Sequence, residues 1–325
     1  MEPAATVRVL VRNFSSDTNQ VQFSKFEIES MRDSNKWDAA RKYIPEVMRN
    51  EWVLTREYDV IPPAHEAWSG FGAIPNDIED TLLLLRLYKP GDLAFAAVIF
   101  TTPETNSLAR QCPYRVISTL VSNHSLRPYT LNQAETVDWE KFEAGLRASP
   151  AWESSWFKIC RRCFLYGGSQ EFNPNFEFDI DRVIDYTSSL EAALIPEHDF
   201  LSRRLCNRAL KLLEPQSDTE SKAIKVLLKK MYGIRSSLVH GSPLKDEEKV
   251  IIQQKELWLS FEQLVRTILI CALRNVPSSE TDRRTYLSGL YEPSDQDRAD
   301  KLREDFRTIK DIQVKQVLLN ELSTS

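Results

Sequence analysis

From residue 149 onward the chain takes up a helical period and keeps it. Ala151 to Tyr166, Phe178 to Ile195, His198 to Leu213, Glu220 to His240 and Asp246 to Arg274 each repeat apolar residues at helical spacing, with short connections between them. Helices joined this closely bury their apolar stripes against one another by running up and down, so the stretch predicts a helical bundle. Chemical stop signals agree with the boundaries: Gly167-Gly168 after the first segment, Pro196 after the second, Gly241 and Pro243 after the fourth, and Pro277 after the fifth.

The residues before 149 mix periods. RVLVRNF and WVLTREYDVI predict strands. LLLLRLY and LAFAAVIF, separated by KPGD, predict a hairpin in which Pro90 and Gly91 suit the second and third positions of a type II turn. The fold class expected is therefore α+β. A mixed α/β domain over 1–148 precedes an all-α bundle over 149–278, and a C-terminal extension over 279–325 forms one or two amphipathic helices that dock on the bundle. A length of 325 residues fits two domains and an extension.

Composition narrows the function classes. With 42 basic and 47 acidic residues the net charge is -5, so a case for nucleic acid must be local. The longest apolar runs, LAFAAVIF and LVRTILICAL, fall short of the ~20 residues that span a bilayer, and the N-terminus shows no secretory pattern. The chain reads as cytoplasmic with no membrane partner. Five cysteines without framework spacing fit free thiols, and nine glycines leave no phosphate-cradling loop.

The segment YGIRSSLVHG, Tyr232 to Gly241, carries the chemistry. Ile224, Leu227, Leu228, Ile234 and Leu238 lie within about 60° of Met231 around a helix and form one core-facing stripe. Arg235 falls inside that stripe, about 40° from Met231. A guanidinium there must be paired or look into a polar cleft, and Glu191 in SLEAAL is the partner expected. His240 lies about 140° from Arg235, so the two meet only if Gly241 unwinds the helix end or two chains share a cleft. Ser236 shares the face of His240, four residues before it. Between Ser221 and Lys245 stand five lysines and one arginine with no acid, a local basic strip that suits a polyanion, with Lys229 and Lys230 as candidate contacts, or else is an ordinary solvated face.

The run MYGIRSSLVHG, with DRVIDYTSSLEAALI and RRLCNRALKLL upstream, resembles the HEPN superfamily, and more narrowly its ApeA-like group, over about 150–275. The resemblance implies a HEPN-type bundle that homodimerises. It also implies, in catalytically competent members, a metal-independent endoribonuclease of the kind found in antiviral defence and toxin systems. Carried over by position, Arg235 stabilises the phosphorane, His240 acts as general acid or base, and Ser236 is the polar residue after the arginine. No cofactor and no metal is implied. Ser242 stands where some members carry a tyrosine. Other members are non-catalytic dimerising or binding modules, an alternative in which Arg235 serves a structural ion pair.

The remaining candidates read as structural. Cys160 and Cys163 in CRRC share a helical face as ordinary thiols. His65 and His124 sit in loops, and His198 with Asp199 caps a helix start. The aromatics from Phe14 to Phe71, including Trp37, Trp52 and Trp68, are expected in a core.

Overall fold

The computed structural model of the chain describes residues 5–31, 52–59, 76–102, 105–111, 128–167 and 180–296. It is an α+β protein with a small antiparallel sheet toward the N-terminus and helices thereafter. Strands β1 (Ala5–Arg12), β3 (Gln20–Gln22), β4 (Glu27–Ser30), β5 (Trp52–Tyr58), β6 (Ala94–Thr102) and β7 (Thr105–Gln111) form one sheet in the order β3-β4-β5-β1-β6-β7. RVLVRNF is central in it, with Val9 opposite Leu54 on one side and Val98 on the other. Val7, Val9 and Val11 are all fully buried, as a strand with one face on a core requires. Asn13 at φ 59° turns the chain out of β1 into β2 (Phe14–Ser15), which pairs in parallel with β8 (Tyr129–Thr130).

LAFAAVIF is a strand, but LLLLRLY is not. It belongs to helix α1 (Asn76–Tyr88), so the expected hairpin is a helix-to-strand connection. Leu82 to Leu85 are buried on every side, so the run shows neither a two-residue nor a 3.6-residue period. The deciding signals lie at its ends: Asp77 and Glu79 in the first turn and Arg86 in the last complement the helix dipole, and the run has no β-branched residue. Gly91 does not sit in a hairpin turn. At φ 154° it passes so close to β8 that an added Cβ would lie 2.8 Å from Tyr129 Cα, which leaves room for glycine alone.

The helices follow as α2 (Thr136–Arg147), α3 (Ser155–Gly167), α4 (Ile180–Leu194), α5 (Leu201–Leu213), α6 (Asp218–Val239), α7 (Asp246–Gln253), α8 (Lys255–Asn275) and α9 (Glu280–Leu290). The fifth expected segment is thus two helices, broken at Gln254 with extended ψ of 103°. No glycine or proline marks that break, so periodicity alone ran through it. His198 and Asp199 do not cap α5. The N-cap position is Phe200 at φ 51°, and Asp199 instead accepts from Arg204 at 3.1 Å. From the extension, α9 docks on α5, and beyond it Glu292 takes Arg204 in a two-pronged ion pair, with Oε2 2.7 Å from Nη1 and Oε1 2.9 Å from Nη2. Residues 297–325, His65, His124, Trp37 and Trp68 lie outside the described residues. Among the described residues no helix is long and apolar enough to cross a membrane.

The boundary expected near 148 falls inside one continuous hydrophobic core that takes in Val9, Leu84, Trp139, Phe157, Leu190 and Phe261 alike. Phe14 and Trp52 contribute an edge-to-face ring pair at 5.0 Å. Polar links cross the same seam. Asp80 on α1 accepts from Arg147 of α2 at 2.9 Å and from Arg161 of α3 at 2.6 Å, and is itself buried. Removing that carboxylate leaves Arg147 with Glu143 alone and takes from the largely buried Arg161 its partner on α1. Asp80→Ala is expected to lower stability by about 3 kcal/mol, read as a shift in denaturant midpoint at unchanged slope.

Candidate functional site

Helix α6 is the longest of the described helices, at 22 residues, and both its ends are built locally. At the start, Ser217 Oγ accepts from Glu220 N at 3.2 Å while Glu220 Oε2 accepts from Gln216 N at 2.8 Å. At the other end Gly241 takes φ 66°. The Ser242 N–H then donates to Ser237 O at 2.8 Å and the Gly241 N–H to Leu238 O at 3.1 Å, the paired reverse bonds of a glycine-terminated helix. Leu228, Met231 and Ile234 are buried, and Ile224, Leu227 and Leu238 pack partly buried beside them, so the stripe read from sequence faces the core.

Arg235 lies at the edge of that stripe and reaches α4, where its Nη2 donates to Glu191 Oε2 at 2.8 Å. The side chains are 19% and 18% exposed, so the pair is shielded but not sealed. Burial raises the Glu191 carboxyl above its ordinary range, opposed by the Arg235 charge and by the neighbouring Tyr232 hydroxyl. Tyr232 was not singled out in the sequence. It sits three residues before Arg235 and four before Ser236, on the face between them, and the Arg235 guanidinium carbon lies 5.9 Å from its ring centre. Burial, then the neighbouring Glu191 carboxylate, holds its phenol protonated well beyond the usual range. The i, i+3, i+4 spacing was the available signal.

His240 occupies the C-cap of α6 and is exposed, as are Lys229 and Lys230, while Ser236 is half-buried. Because α6 stays helical through Val239, Gly241 does not unwind the end. Arg235 and His240 therefore remain about 140° apart within one chain. The structure brings together Arg235, Glu191 and Tyr232, places Ser236 beside them on the helix, and leaves His240 at the helix tip.

Cys160 is buried, and burial pushes its thiol well above the ordinary value; Cys163, half-buried, is raised to about 11 by burial first and then by Asp185. Among the described residues no group of three or more His, Cys, Asp or Glu side chains is placed to hold a metal ion. No protein-family model, curated protein or solved structure matches this chain.

Two measurements test this geometry. A double-mutant cycle on Glu191→Ala and Arg235→Ala is expected to give a coupling of about 1–2 kcal/mol, between the values of exposed and sealed ion pairs. Alkylation of the Cys163 thiol in the native protein, followed by peptide mass, is expected to be slow at pH 8 and to accelerate as pH climbs toward about 11, because only the thiolate reacts.

Proposed function

We propose that the chain is a HEPN-type, metal-independent endoribonuclease that works as a homodimer, an effector of the antiviral-defence or toxin kind. The observation that carries this reading is the layout of α6. A helix packed on α4 and α5 holds Arg235 shielded but not sealed, ends on an exposed His240, and bears a lysine-rich outer surface with no acid from Ser221 to Lys245. In the chemistry this supports, a ribose 2′-oxygen attacks the adjacent phosphorus and the 5′-oxygen leaves. His240 takes or returns the proton, and Arg235 offers forked N–H donors to the phosphorane oxygens. The products are a 2′,3′-cyclic phosphate and a 5′-hydroxyl. The divergence of Arg235 and His240 on a regular helix is why the reading calls for a second copy: each cleft takes the two groups from different chains. Lys229 and Lys230 supply a salt-sensitive hold on the RNA backbone.

One observation favours a second reading, a binding or dimerisation module without catalysis. Arg235 already has a carboxylate partner in Glu191 at 2.8 Å. The two readings part on substitution. Under the nuclease reading, Arg235→Ala and His240→Ala each lower RNA cleavage in EDTA by about 10²-fold or more, with His240→Ala leaving the melting temperature unchanged. Under the module reading His240→Ala is silent in every assay, and wild-type protein cuts no RNA.

A further inference from the structure

The Arg235–Glu191 contact fits neither partner well. A guanidinium meets a carboxylate best through two parallel N–H···O bonds, yet the only one formed runs from Nη2 to Oε2. Arg235 Nε and Glu191 Oε1 are both buried without a hydrogen-bond partner. Buried polar atoms left over in this way are rare in folded proteins, and each calls for an explanation such as a ligand the structure does not hold. The carboxylate is itself poorly placed, since burial disfavours its charge. Tyr232 stands beside the same spot, its ring centre 5.9 Å from the guanidinium carbon, and the Glu191 charge is among the causes that keep its hydroxyl protonated and able to donate.

We propose that Arg235 and Tyr232 form an oxyanion subsite for the phosphodiester of single-stranded RNA, and that the Glu191 carboxylate is its resident placeholder. The identity of the ligand rests on the nuclease reading above; the roles of Tyr232 and Glu191 are additional to it. A carboxylate fixed to α4 reaches only one edge of the guanidinium. A phosphodiester carries two unesterified oxygens on a free chain, so it can satisfy Nη2 and the unpaired Nε together while one oxygen accepts from the Tyr232 hydroxyl. Glu191 must then turn away, since its negative charge beside a bound phosphate is repulsive. The contact seen here is the closed state of the subsite, and incoming RNA competes with Glu191 for Arg235.

The test is equilibrium binding of a fully 2′-O-methylated single-stranded oligoribonucleotide, which resists cleavage, followed by fluorescence anisotropy at fixed salt. Glu191→Gln keeps the side-chain shape and removes the competing charge, and is expected to tighten binding about tenfold. Tyr232→Phe removes one hydroxyl and is expected to weaken it about fivefold, in the wild-type and the Glu191→Gln backgrounds alike. Should Glu191→Gln fail to fold, Glu191→Asp, which draws the carboxylate back from Arg235, is expected to shift binding the same way. If neither Glu191 variant binds more tightly, or if Tyr232→Phe binds as wild type, the subsite is overturned and Glu191 is a structural partner of Arg235. Arg235→Ala separates the two levels. If it binds the oligonucleotide as wild type does, Arg235 holds no phosphate and the subsite is overturned whatever the lysines of α6 contribute, whereas tight binding by Glu191→Gln without cleavage by wild type upholds the subsite and removes the nuclease.

Discussion

Arg86 ties the molecule together. Its side chain is entirely enclosed, and burial pushes its guanidinium below the ordinary arginine value. A bare cation in that position would cost several kcal/mol, so its donors are committed to backbone. Nε and Nη2 reach Leu93 O at 2.9 and 2.7 Å, and Nη1 reaches Leu165 O at 2.8 Å. The Arg86 carbonyl in turn accepts from Arg266 Nε at 2.7 Å, and Arg266 is held by Glu262 on its own helix at 2.5 Å. One residue thus joins the start of a sheet strand, the end of α3 and the middle of α8. The apolar core is continuous across the same place because these polar links allow the backbones to approach without stranding a donor.

Around that junction α4 packs against both α3 and α8, and α6 is laid on α4 and α5. Helix α6 has one face on the core and another in solvent, and it carries an arginine in its apolar stripe and a histidine at its tip. Arg235 can occupy its position because α4 supplies Glu191, and Glu191 is tolerated because Arg235 and Tyr232 offset its burial. The cluster therefore depends on the α4–α6 packing, while His240 depends only on the reversal at Gly241. Arg235 and His240 are thus held by separate devices, one tertiary and one local.

How far this was legible in the sequence varied with the kind of signal. The α6 stripe, the Arg235–Glu191 pair and the glycine stop were readable because each follows from spacing on one helix and from the cost of an unpaired cation. The identity of α1 was not, because a leucine run enclosed on all sides loses the periodic contrast that separates helix from strand, and the deciding charges lay at its ends. The break at Gln254 carries no marker residue, and the left-handed Phe200 that opens α5 belongs to a residue type that rarely adopts such angles. Tyr232 was overlooked since aromatic residues near a core stripe are ordinarily packing. Its hydroxyl acquires meaning only once Glu191 is known to stand across from it.

The Arg86 junction also bears on how the chain is made. Leu93, which takes two of its bonds, follows seven residues later, but Leu165 and Arg266 lie 79 and 180 residues further along, so a ribosome releases the cation well before these last partners exist. Until α8 emerges, the strands and α1 have no way to close their last face. Completing the junction therefore waits on late-made helices as well as on the early strand, since its contacts are drawn from widely separated parts of the sequence.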